Sequence, residues 1–130
     1  MIVKGSFEVK VSAEPAHDVV DGVALSRATC DKRFSGPLDA TGLVSMLAVR
    51  SPVEGSAAYV AIERISGTLD GKRGTFVVQH VGTMTRGGPS LVITIAPDSG
   101  TGELAGISGR MSIQIIEGKH FYELDYDLAT

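Results

Sequence analysis

The chain has 130 residues, a net charge of -3, 43% hydrophobic and 21% charged residues, the balance of a single globular domain spanning 1–130. No basic stripe is present to meet phosphates, Trp is absent and aromatics are 5%, which excludes a general nucleic-acid binder and a membrane-surface binder. Cys30 is the single cysteine, so there is no internal disulfide and no thiolate metal cluster. No uncharged apolar run approaches the ~18 residues of a membrane span, and a cytoplasmic location is expected.

The first element, "MIVKGSFEVKVS", alternates polar and apolar residues without a continuous apolar core, which predicts a strand over 2–12 rather than a signal peptide. The longest break, "AEPAHDVVDG" at 13–22, reads as a mobile loop. Period-two alternation rich in Val, Ile, Thr and Ser then predicts strands over 23–34, 38–49, 56–68, 74–85, 90–97, 107–116 and 119–128, with glycines as punctuation and no helix.

Two turns set registers. Asp70-Gly71 and Glu117-Gly118 each place Gly where a two-residue hairpin needs positive φ. The first pairs Ile65 with Phe76, Glu63 with Val78 and Ala61 with His80. The second pairs Ile115 with His120, Ile113 with Tyr122 and Met111 with Leu124. A turn at Gly87-Gly88 pairs Met84 with Leu91 and His80 with Ile95. One face then collects Tyr59, Ala61, Glu63 and Ile65 with their apolar partners on the following strands, and Val3, Phe7, Val9 and Val11 continue it.

An antiparallel meander with such a face must close or be covered, and no helix is available to cover it. The expected fold is therefore all-β, an eight-stranded antiparallel closed barrel, with a two-sheet sandwich as the alternative. The opposite face of the central hairpin, with Val60, Ile62, Val77 and Val81, is more apolar than a wall in water should be. It predicts a homo-oligomer packed through the strands at 56–68, 74–85 and 90–97. The alternative is that the C-terminal residues or the 13–22 loop fold over it.

Tyr59, Glu63 and His80 share the inner face and one neighbourhood on it. Burying a carboxyl among Val, Ile and Phe costs several kcal/mol unless it is paired or protonated. A carboxyl beside an imidazole and a phenol suits proton transfer, which makes the trio the candidate catalytic group. The structural alternative is a satisfied hydrogen-bond network, with Arg27 or Gln79, that holds strand register. Phe76, Met84, Ile93, Met111, Ile113, Tyr122 and Tyr126 are the candidate apolar wall of a ligand site. His17, His80 and His120 are too dispersed for a metal site, Asp18, Asp21 and Asp31 lack calcium-loop spacing, and no cofactor is expected. The run "SGTGELAGISGR" at 99–110 is followed by a strand, where a dinucleotide fingerprint needs a helix.

That run nevertheless carries a resemblance. "SGTGELAGISGRM" resembles the glycine-rich loop of plant allene oxide cyclases and dirigent proteins, which share an eight-stranded antiparallel barrel. With "GSFEVK", "DKRFSGPL", "YVAIERISGTLDGKRGTFVVQHVGTM" and "GKHFYELDY", nearly the whole chain resembles a bacterial family, a domain of unknown function with an allene-oxide-cyclase-like barrel. The resemblance implies that barrel. Allene oxide cyclases, which are trimers, rearrange an unsaturated fatty-acid epoxide using a buried Glu. Dirigent proteins steer phenol coupling with acids and Tyr residues. Only the glycine-rich loop aligns, so Glu63 is at most an analogous carboxylate.

The expected function is a small-ligand-binding barrel, its enzymatic version an isomerase or cyclase acting on a small apolar substrate, with Glu63 as acid/base, His80 tuning it and Tyr59 orienting a substrate oxygen. The competing reading is a non-catalytic interaction module with a solidly packed barrel.

Overall fold

The computed structural model describes residues 1–128. Its strands are β1 (Ile2–Ala13), β2 (Asp18–Val20), β3 (Val23–Ser35), β4 (Leu38–Arg50), β5 (Ala57–Leu69), β6 (Lys72–Thr85), β7 (Gly88–Ile95), β8 (Ile107–Ile116) and β9 (Lys119–Leu128). Among the described residues there is no α-helix, only a 3-10 turn at Gly102–Leu104.

Each strand from β3 to β9 pairs antiparallel with the next, β9 pairs with β1, and β1 pairs with β3. The eight long strands therefore close into a barrel, and the sandwich is ruled out. Closure removes the unpaired edges that a meander would leave. Asp70 and Gly71 have φ of 49° and 82°, and Glu117 and Gly118 of 51° and 78°, the positive pair of a type I′ turn whose twist suits a hairpin. The predicted β5–β6 and β8–β9 registers follow from them.

The predicted β6–β7 register is two residues off. Arg86 and Gly87, with φ of 48° and 89°, form the turn, so Met84 faces Pro89 and His80 faces Ile93. A two-residue shift preserves the alternation, so the same side chains still point inward. The 13–22 segment is also not wholly a loop, because Asp18–Val20 pairs with Val23–Leu25 and prolongs the edge that β1 occupies higher on β3.

One end of the barrel is filled. Phe7, Phe34, Leu38, Ile65, Leu69, Phe76, Val78, Leu104 and Leu124 belong to one buried cluster. The glycine-rich run closes this end. Thr101 and Ser99 accept from the backbone N–H groups of Thr75 and Val77 at 3.1 and 3.0 Å, and Leu104 plugs the base at 1% exposure. The run thus stands in for a strand beside β6, whose ladder with β7 begins only at Val78.

The other end mixes small groups with larger side chains and is not filled. The inward rows Ser26–Ala48–Tyr59–Gly82–Leu91 and Ala24–Arg50–Ala57–Met84–Pro89 run across β3 to β7. Beside them lies the thinnest seam of the barrel. β7 and β8 share only the pairs Ile93–Met111 and Thr94–Arg110, so the strands part towards this end.

Candidate functional site

Below the mouth, β5 brings Glu63 inward and β6 brings His80 inward from the position opposite Ala61. Both are buried, Glu63 at 0% and His80 at 4% exposure. His80 Nε2 lies 2.8 Å from Glu63 Oε1. The cation that balances this carboxylate is Lys32, whose Nζ donates to the same oxygen at 3.2 Å. Lys32 also sits over the rings of Phe7 and Phe34, at 5.0 and 5.8 Å from their centroids, which adds cation–π attraction in a desolvated setting.

The backbone makes room for this cluster. Lys32 faces Gly42 on β4, while Glu63 faces Val44 on the same strand. The two side chains meet diagonally over Gly42, where a Cβ would overlap Glu63 Oε2. Among the described residues, Oε2 itself has no hydrogen-bond partner. Tyr59 lies one row nearer the mouth, its ring against Gly82 and tilted over His80 with centroids 6.5 Å apart. Burial pushes its phenol pKa up, with Cys30 and Glu63 adding to the shift. Burial likewise pushes up the Cys30 thiol, against the pull of Lys32, which disfavours a nucleophilic thiolate.

Above Tyr59 opens a cavity of about 600 Å³, lined by inward side chains that include Ser26, Met46, Ala48, Tyr59, Met84 and Leu91, with Glu14 and Arg50 at its rim.

The structure thus brings together Tyr59, Glu63 and His80, and of the expected apolar wall it places Met84 at the cavity. Phe76, Ile93, Met111, Tyr122 and Tyr126 lie in the packed cluster, and Ile113 packs against it half-buried. The Tyr122 hydroxyl accepts from Leu38 N–H at 3.0 Å and donates to the Ser35 carbonyl at 3.2 Å. The Tyr126 hydroxyl bonds to Asp70. His120 packs against Phe7, with centroids 5.2 Å apart.

The expected partners Arg27 and Gln79 do not reach Glu63. Each is one residue out of phase with an inward position, Arg27 beside Ala28 and Gln79 beside His80, so both face outward and are exposed. Lys32, which shares the inward phase of Cys30 and Phe34, takes that place. Its signal was the inward parity of the Lys within "CDKRF".

On the outer wall, Leu47, Val60, Val81 and Val92 stand directly opposite one another across β4 to β7 and remain 49–56% exposed. β2 extends the edge of β3 and does not cover this ridge. Of the C-terminal residues, Leu128 packs on the core, and 129–130 lie outside the described residues.

Fold and site together define a closed antiparallel β-barrel with a buried lysine–glutamate–histidine cluster beneath an apolar mouth. The chain belongs to the family described as "Protein of unknown function (DUF3224)", which matches residues 3–126. It is similar to the crystal structure of a protein of unknown function from that family from Shewanella oneidensis MR-1. That similarity has 44% identity and a TM-score of 0.94, covering 100% of this chain and 98% of the other. Comparison with curated proteins finds no match.

Proposed function

We propose that the protein binds a small, largely apolar ligand in the mouth of the barrel, with Tyr59 at the floor of the site and the Lys32–Glu63–His80 cluster beneath it. The observation that carries this reading is the cavity of about 600 Å³ above Tyr59. A mostly apolar hollow with a few convergent polar groups is the usual form of a small-molecule site. The short β7–β8 seam beside it supports a way in. In the enzymatic version, an isomerase or cyclase, Glu63 is the acid/base, His80 tunes it and Tyr59 orients a substrate oxygen. Glu63→Gln then abolishes turnover of a bound compound while leaving its binding intact. The glycine-rich loop supports assigning the barrel to the allene-oxide-cyclase-like type, as an analogy of fold.

The test uses Nile red as an apolar fluorescent probe. The wild-type protein should bind it with one-to-one stoichiometry, and Ala48→Trp, which fills the cavity, should weaken binding at least about tenfold. Absence of binding to the wild type, or equal binding to Ala48→Trp, would refute a mouth site.

A second reading has its own observation. The exposed ridge Leu47–Val60–Val81–Val92 is contiguous across four strands, and such patches usually mark contact surfaces. It supports association with a second copy of the chain through β5 to β7.

A further inference from the structure

Two charged residues line the mouth cavity, Glu14 and Arg50, and the fold gives them different surroundings. Arg50 ends β4 in the inward row Ala24–Arg50–Ala57. Alanine on either side leaves its guanidinium uncovered, and the residue stays exposed. Among the described residues no carboxylate forms an ion pair with it. Lys32, the cation deeper in the barrel, is already matched by Glu63 and does not line the cavity.

Glu14 follows β1, and its backbone N–H donates to the Arg27 carbonyl at 3.0 Å. Ala13 faces Ala28, an inward position, so Glu14 falls opposite Arg27 on the outward phase. It borders a hollow on the outer wall together with Arg27. Opposite charges facing each other across a strand pair attract, so register sets Arg27 across from Glu14. Arg50 is left as the cation of the mouth.

Below Arg50 the lining is apolar, with Met46, Ala48, Met84 and Leu91 around the hollow down to Tyr59. Tyr59 lies two residues further along β5 than Ala57, the neighbour of Arg50, a drop of about 7 Å. A ligand that fills this space with an apolar body presents its other end to Arg50, at the boundary with water. A charge placed there keeps part of its hydration and escapes the desolvation cost of a buried one. A guanidinium holds a carboxylate through two parallel N–H donors. One Arg balances one negative charge. A phosphate monoester, which carries about -1.5 to -2 near neutral pH, would leave charge unmatched beside Glu14.

We infer that the ligand of this barrel is an amphipathic carboxylic acid, with its apolar body above Tyr59 and its carboxylate on Arg50. This inference rests on the mouth-site reading and names its ligand class.

Displacement of Nile red from the intact protein by octanoate, octanol, octylamine and octyl phosphate tests it. Octanoate should bind at least about fivefold more tightly than octanol. Sodium chloride at about 1 M should shrink that preference to within about twofold, because an ion pair at the water boundary is screened. Octanol or octylamine binding as well as octanoate, octyl phosphate binding more tightly, or a preference unmoved by salt overturns the carboxylate class while the mouth site stands. Failure of Nile red itself to bind refutes the mouth site and this inference with it. In Arg50→Gln, octanoate should come within about twofold of octanol, with octanol as the control for an intact site in the same protein. A full preference retained in that variant would overturn the assignment to Arg50.

Discussion

Gly42 is where the cost of the buried cluster is settled. The carboxyl of Glu63 occupies the space a side chain would fill, so Gly42→Ala must push it off Lys32 or distort β4. Overpacking of this kind typically costs about 1–3 kcal/mol, which the shift of the urea midpoint will show. Lys32→Met should cost more, about 3–5 kcal/mol, because it leaves the Glu63 carboxylate buried with its cation removed. Adding Glu63→Met to Lys32→Met should recover most of that loss, since replacing both members of a buried ion pair by apolar groups is often nearly neutral. A double variant no more stable than Lys32→Met alone would argue that the cluster contributes more than the pairing of its charges.

Tyr126 gives a residue-scale effect with a sign. Burial, and then its hydrogen bond to Asp70, push its pKa from 10.0 to about 12. The folded protein therefore holds this proton more tightly than the unfolded chain does. The stabilisation is complete below pH 10, and stability should fall as pH rises from about 10 to about 12, where the unfolded chain binds fewer protons. Asp70→Asn, which removes the carboxylate, should flatten that slope in chemical denaturation measured across the interval.

At the scale of elements, the hairpins depend on backbone conformation more than on contacts. A Cβ at Gly71 would touch nothing, but the residue sits at φ +82°. Gly71→Ala should therefore destabilise by about 1 kcal/mol through the left-handed backbone alone. Four of the expected strands, in the β5–β6 and β8–β9 hairpins, hold their predicted mutual registers because such turns leave no choice. The turn between β6 and β7 is expected at Gly87-Gly88, but with two adjacent glycines the spacing does not fix which pair turns, and Arg86-Gly87 takes the two positive-φ positions. The β7–β8 seam is the element-scale weakness. With two ladder pairs, its amides should exchange faster than those of the β5–β6 hairpin in native-state hydrogen exchange. Ligand bound at the mouth should slow that exchange.

For the molecule as a whole, the barrel is packed at one end and hollow at the other, with an apolar ridge outside. Val60→Glu places a charge in the centre of that ridge without touching the core. If the ridge joins two copies, this variant should sediment as a smaller species than the wild type and keep its melting temperature as an isolated barrel. Equal sedimentation of the two proteins would assign the ridge no such role.

Alternation and turn chemistry, both local properties of the chain, determined the strands, the inward phase of Tyr59, Glu63 and His80, and the need to close the sheet. They could not place Lys32 at Glu63, since that contact crosses from β3 to β5 over a glycine whose vacancy matters only once β4 lies between them. Nor could they divide the inner face into a filled half and a hollow one. Phe76 and Met84 share one strand and one phase, yet one is sealed under Leu104 and the other opens on the mouth. Depth along a barrel axis depends on the stagger at which all eight strands close, and only the tertiary structure decides it.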